Sequence, residues 1–92
     1  MGSVIAGYSR SPFTRAMKGD LARIRPDDIA AKVVNSLISN LGLDPNLVED
    51  LIVGTAFPEG EQGFNLARII SFLSDLPESV PGVTINRFCG SS

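Results

Sequence analysis

Short apolar runs alternate along this chain with longer segments of helical period, and that alternation narrows the folds open to it. "SVIAGYS", residues 3–9, is apolar without alternation and reads as a buried strand. "RPDDIAAKVVNSLISNLGL", residues 25–43, reads as a helix. Pro26 suits its first turn, and Asp27 and Asp28 face the positive end of its dipole. Ile29, Val33, Leu37 and Leu41 form a stripe that Ala30, Val34 and Ile38 broaden, and Gly42 stands where a left-handed cap is wanted. "VEDLIVGT", 48–55, predicts a second strand. A loop rich in Pro and Gly leads from it to a second helix, "FNLARIISFLSD", in which Leu66, Ile69, Ile70 and Leu73 keep helical spacing. "GVTINRF", 82–88, is rich in β-branched residues and predicts a third strand. The expected order is β-α-β-α-β, an α/β fold with a mainly parallel sheet.

Composition excludes several classes of function. The chain has 92 residues, enough for one small domain. Its net charge of −2 lacks the basic surplus of a protein that grips nucleic acid. No apolar run approaches the roughly 18 residues of a membrane span. The N-terminus lacks the basic start and long apolar stretch of a secretory signal. A single cysteine, Cys89, makes no internal disulfide, which fits a reducing compartment. There is no histidine, so no His-based metal site and no Cys/His pair can come from these residues alone. No metal site is expected.

Cys89 draws attention through its position. Sites in open parallel sheets gather at the carboxyl ends of strands, and the third expected strand runs into "CGSS". Gly90 and the small hydroxyl residues Ser91 and Ser92 permit a tight turn and the close approach of a substrate. A helix beginning here would point unpaired N–H groups at a thiolate or an oxyanion. The alternative is an inert thiol serving as a small apolar residue. Arg87 shares the Cys89 side only if the strand continues regularly. Glu59 and Glu61 read as a solvated loop face rather than an acid/base couple.

The ordered blocks "RSPF" at 10–13, "RPDDIAA" at 25–31, "LGLDPNLVEDLIVG" at 41–54, "PEGEQGFNLAR" at 58–68 and "LPESVPGVTINRFCGSS" at 76–92 resemble the N-terminal part of the thiolases. The last block is the most specific. "GEQGFNLAR" is more similar to the degradative branch of that family than to the biosynthetic one. The family often has glycine where Ser92 stands. The resemblance implies that residues 1–92 form the first part of the family's N-terminal domain. The rest of that domain, a loop domain and a C-terminal domain would lie outside this chain.

It also implies that Cys89 is the acyl-accepting nucleophile. Its backbone N–H would help hold an oxyanion. The implied substrates are acyl-CoA and CoA, with CoA as co-substrate and no resident cofactor. A base histidine and a second cysteine are implied downstream. Asn65 and Arg68 fall in a recurrent family block and read as capping or pairing residues. The family further implies a homodimer or tetramer, with the last strand at the sheet edge pairing with its twin.

Residues 1–92 alone are expected to be inactive and to expose apolar surface at Val4, Ile5, Val53 and Ile85 until the remaining segment of the polypeptide covers it. The competing readings are a condensing enzyme of the same superfamily and a non-catalytic acyl- or lipid-binding homologue. The expected location is cytoplasmic, with mitochondria or peroxisomes as alternatives.

Overall fold

The computed structural model describes residues 2–92 as an α/β unit: helix α1 (Pro26–Leu41), strand β1 (Leu51–Gly54), helix α2 (Leu66–Leu73) and strand β2 (Gly82–Ile85). Short 3-10 turns cover Pro45–Leu47, Gly60–Gln62 and Phe88–Gly90. The two strands are parallel and pair Leu51 with Gly82 through Gly54 with Ile85. The ladder is extended at each end, by Leu51 N–H to Pro81 O at 3.1 Å and Thr55 N–H to Ile85 O at 3.0 Å.

The expected α/β class and parallel pairing hold, but the first strand does not form. Residues 2–15 carry no regular structure, and Val4 and Ile5 are 90% and 94% exposed. Strands are defined by pairing, and this run finds no ladder partner among the described residues. Gly7 lies against α1 instead: a Cβ there would sit 2.8 Å from Leu41 Cδ2. The apolar line Ile29–Val33–Leu37–Leu41 therefore borders the N-terminal segment. Leu41 itself is 40% exposed.

The core lies on the neighbouring face of α1. Ala31, Leu66 and Ile70 are buried together, and Ala30, Val34, Leu51 and Val53 pack around them. In α2 the buried positions are Leu66, Ala67, Ile70 and Ser71, whereas Leu73 is 47% exposed. Helix and strand approach closely, because a Cβ on Gly82 would lie 2.6 Å from Arg68 N. No side chain fits there, and glycine lets α2 lie directly on β2.

Both helices end as their sequences require. Pro26 begins α1 after an extended Arg25. Gly42 closes it at φ 60°, with Gly42 N–H donating to Ser39 O and Leu43 N–H to Ile38 O, each at 3.1 Å. Asn65 caps α2, its side chain accepting from Arg68 N–H at 3.3 Å.

Burial alternates along both strands. Leu51, Val53 and Thr84 turn inward. Ile52, Val83 and Ile85 turn outward and are 63%, 44% and 42% exposed. Parallel sheets ordinarily have both faces covered. Here one face carries helix and the other stays apolar and open. Val4, Ile5 and Ile85 match the expected exposure, while Val53 is half-buried beside the core.

Candidate active site

The two strands deliver their carboxyl ends side by side, at Gly54–Thr55 and Ile85–Asn86. Thr55 is buried; its hydroxyl donates to Gln62 Oε1 at 2.6 Å, tying the following loop back to the strand end. Neither residue carries a periodic signal that marks it in the sequence. Burial of Thr55 follows from the Ile85 pairing, which only the fold reveals.

From Ile85 the chain enters a compact turn that carries Cys89. The strand stops four residues before the cysteine, so Cys89 does not cap a strand directly. Phe88–Gly90 form a single 3-10 turn, and Ser91 follows in right-handed helical geometry. Regular alternation is lost, and with it the condition under which Arg87 would share the Cys89 side. Phe88 adopts φ 49°, a region that non-glycine residues seldom occupy.

Side chains on either side of Cys89 hold this turn. Asn86 Oδ1 accepts the Phe88 N–H at 2.8 Å. Ser91 Oγ accepts the Arg87 N–H at 2.9 Å and donates to Phe88 O at 2.8 Å. Backbone bonds join Gly90 N–H to Arg87 O and Ser91 N–H to Phe88 O, at 3.0 and 3.2 Å. Both of these donors follow the cysteine. Cys89 itself is an exposed free thiol. Among the described residues the thiol is thus not buried as a small apolar residue would be.

The turn rests on β1. A Cβ added to Gly54 would fall 1.8 Å from Ser91 O and 2.6 Å from its carbonyl carbon. The absence of a side chain at Gly54 is what lets the Cys89 turn settle over the strand end.

Asn65 and Arg68 are structural, as their positions suggest. Asn65 Nδ2 donates to Gly82 O at 2.9 Å, while Thr84 Oγ1 donates to Asn65 Oδ1 at 2.7 Å and accepts from Ala67 N–H at 2.9 Å. These bonds bolt the start of α2 to β2. Arg68 donates to Val80 O and, at 2.8 Å, to Glu78 O, and its guanidinium lies 4.1 Å from the centre of the Phe72 ring. The residues that fix α2 thus also fix the segment leading into β2.

Glu61 pairs with Arg25 at 3.6 Å on an exposed surface, and Glu59 is exposed. Neither forms an acid/base couple. Arg25 also donates to both oxygens of Asp27, at 3.1 and 2.9 Å. Asp27 is 1% exposed and accepts Asp28 N–H at 2.9 Å. The Arg25 hydrogen bonds hold its carboxyl below the usual carboxylate range, against burial, which acts the other way.

Two concave regions lie away from Cys89. One, of 350 Å³, is framed by the 11–22 loop; another, of 280 Å³, lies between residues 9–12 and α1. Among the described residues no group of His, Cys, Asp or Glu side chains is placed to hold a metal ion. No described helix is long and apolar enough to cross a membrane.

Residues 3–92 match the family model described as the thiolase N-terminal domain. The chain is similar to a 3-ketoacyl-CoA thiolase of Bacillus subtilis, 45% identical over 89 residues, a match covering 97% of this chain and 23% of the relative. It is also similar to proteins of the same description from Saccharophagus degradans, 43% identical over 90 residues, and Shewanella baltica, 41% identical over 91 residues. Those matches cover 97% and 98% of this chain, and 23% and 24% of the relatives. The chain therefore spans about a quarter of the length of the curated relatives it matches.

Proposed function

Because the chain belongs to the thiolase N-terminal domain family, we propose that it carries the acyl-accepting cysteine of a 3-ketoacyl-CoA thiolase. The observation that carries this reading is the exposed Cys89 thiol on a braced turn beside the carboxyl ends of two parallel strands. Cys89 Sγ, as thiolate, attacks the 3-keto carbon of the substrate. The bond between carbons 2 and 3 breaks, and its electron pair leaves on carbon 2. Protonation there gives acetyl-CoA, and the shortened acyl group stays on Sγ as a thioester. The thiol of free CoA then takes that group, and the Cys89 thiolate is restored. The covalent stage divides one hard carbon–carbon cleavage into two easier steps. The reverse sequence is a condensation.

The Cys89 N–H serves as one oxyanion donor in this reading, because a donor fixed near the developing charge stabilises it most. The 92 residues hold no histidine and no second cysteine. The base that activates Cys89 and the acid that protonates carbon 2 accordingly come from outside them, and residues 1–92 alone do not turn over. They form the first part of the N-terminal domain in this reading, with the remaining domains contributed by further polypeptide. CoA acts as co-substrate, and no resident cofactor or metal is invoked. The reading places the enzyme in the cytoplasm as a homo-oligomer, with the β2 edge meeting its twin.

The test is CoA-dependent cleavage of a 3-ketoacyl-CoA by the full polypeptide that carries this chain, compared with its Cys89→Ser variant. Cleavage by the wild type and its loss in the variant are expected. Cleavage that survives Cys89→Ser removes the nucleophile from the account. Binding of acyl-CoA without cleavage favours the non-catalytic acyl-binding reading, and condensation without thiolysis favours the condensing enzyme.

A further inference from the structure

We infer that Asn86, Ser91 and Gly54 are positioning residues that set the attack geometry of the Cys89 thiol, an inference that rests on the acyl-transfer reading above. The chain cannot hold Cys89 by extending the sheet, because β2 ends at Ile85. Packing among the described residues does not hold it either, since the thiol is exposed there. What fixes the cysteine is a latch across the turn. Asn86 Oδ1 takes the Phe88 N–H from before the cysteine, and Ser91 Oγ reaches back from behind it to Arg87 N–H and Phe88 O. The two side chains also approach each other, with Ser91 Oγ 3.5 Å from Asn86 Oδ1.

This latch offsets the left-handed conformation of Phe88, which reverses the chain at φ 49° and is unfavourable for a residue with a Cβ. Gly54 supplies the seat. Ser91 O occupies the space that any Cβ on Gly54 would fill, at 1.8 Å, so the height of the turn above β1 depends on that glycine. The three residues reach the cysteine by separate routes: hydrogen bonds ahead of it, hydrogen bonds behind it, and backbone contact beneath it. Attack on a carbonyl carbon is sensitive to such placement, and a misplacement of about 1 Å lowers a rate about 100-fold. A turn held only by its two backbone bonds leaves the thiol free to sample other directions.

The experiment uses the full polypeptide that carries this chain, as wild type and as Asn86→Ala, Ser91→Ala, Ser91→Thr and Gly54→Ala. Two quantities are read. Amide hydrogen exchange of the peptide spanning residues 86–92 reports whether the latch is closed, with the α2 peptide as internal control. Single-turnover transfer of the acyl group from a 3-ketoacyl-CoA to Cys89, followed by mass, reports the chemistry. In Asn86→Ala and Ser91→Ala, exchange in 86–92 should rise about tenfold with α2 unchanged. Acylation should slow about 10- to 100-fold, with the half-saturating substrate concentration held within about twofold.

Ser91→Thr keeps the hydroxyl and should return both readings to within about threefold of wild type. Gly54→Ala should slow acylation with both latch side chains intact. An open latch with wild-type acylation would overturn the inference. So would unchanged exchange in both alanine variants, or a slow Ser91→Thr with wild-type exchange. A wild type with a closed latch and no acyl group on Cys89 instead sinks the acyl-transfer reading itself.

Discussion

Replacing Asn65 with alanine should loosen the junction between α2 and β2 by about 2 kcal/mol. Three interactions converge on this one exposed side chain. It caps α2 through Arg68 N–H, and losing such a cap costs about 1 kcal/mol. Its amide donates to Gly82 O at 2.9 Å, a bond worth about 1 kcal/mol net. It also accepts from Thr84 Oγ1, but that hydroxyl keeps its bond from Ala67 N–H and can turn to water, so little is added. The assay is amide hydrogen exchange on the full polypeptide, read on the first turn of α2 and on β2. A loss of about 2 kcal/mol raises exchange there about 30-fold, since each 1.4 kcal/mol is about tenfold. Asn65→Asp is the control. It keeps the acceptor for Arg68 N–H and Thr84 Oγ1, loses the donor to Gly82 O, and should fall between wild type and alanine. Exchange in Asn65→Ala within about twofold of wild type would mean that Asn65 does not hold the junction. An aspartate variant as labile as the alanine one would mean that the cap carries none of the effect.

Three further outcomes follow from the packing and the charges. Ile70→Ala, at a residue 1% exposed in the centre of the core, should destabilise the fold by about 2–5 kcal/mol in urea unfolding. Gly82→Ala should cost about 1–3 kcal/mol in the same assay, because its Cβ would lie 2.6 Å from Arg68 N and must push α2 off β2. Asp27 has a folded-state pKa lowered by Arg25, so its contribution is complete above the unfolded value of about 4 and fades as pH falls through the folded value. Stability measured from neutral pH into that acid range should therefore fall less steeply in Asp27→Asn than in wild type.

Much of the architecture is legible in the sequence wherever local chemistry decides it. Pro26, Asn65 and Gly42 mark helix ends through their own side chains or backbone freedom, and each stands where it was expected or within one residue of it. The β-branched and apolar runs around Ile52 and Val83 become strands because each finds the other as a partner. The run around Val4 and Ile5 has the same local character and no partner among the described residues, which apolar content alone does not reveal. Helical period locates both helices and marks the broad apolar side of α1, from which Ala30 and Val34 pack around the core. Small Ala31 is buried with Leu66 and Ile70 of α2, whereas the bulkier Leu41, the last residue of α1, is 40% exposed.

At the site, Cys89 was legible from its place after a β-branched run. The turn that presents it was not. Asn86 and Ser91 are ordinary polar residues until the chain reverses at Phe88 and brings them together. Gly54 shows its role only once Ser91 lies over it. Long-range backbone contact of this kind leaves no period and no motif.

The central claim is that Cys89 accepts the acyl group, and weighing the peptide that contains it is the most direct test. The full polypeptide carrying this chain is mixed with a 3-ketoacyl-CoA, quenched in acid and digested. The expected result is a mass increase on the Cys89 peptide equal to the shortened acyl group, abolished by Cys89→Ser and discharged by added CoA. An unmodified Cys89 peptide, or an acyl group carried on another residue while acetyl-CoA is formed, would contradict it.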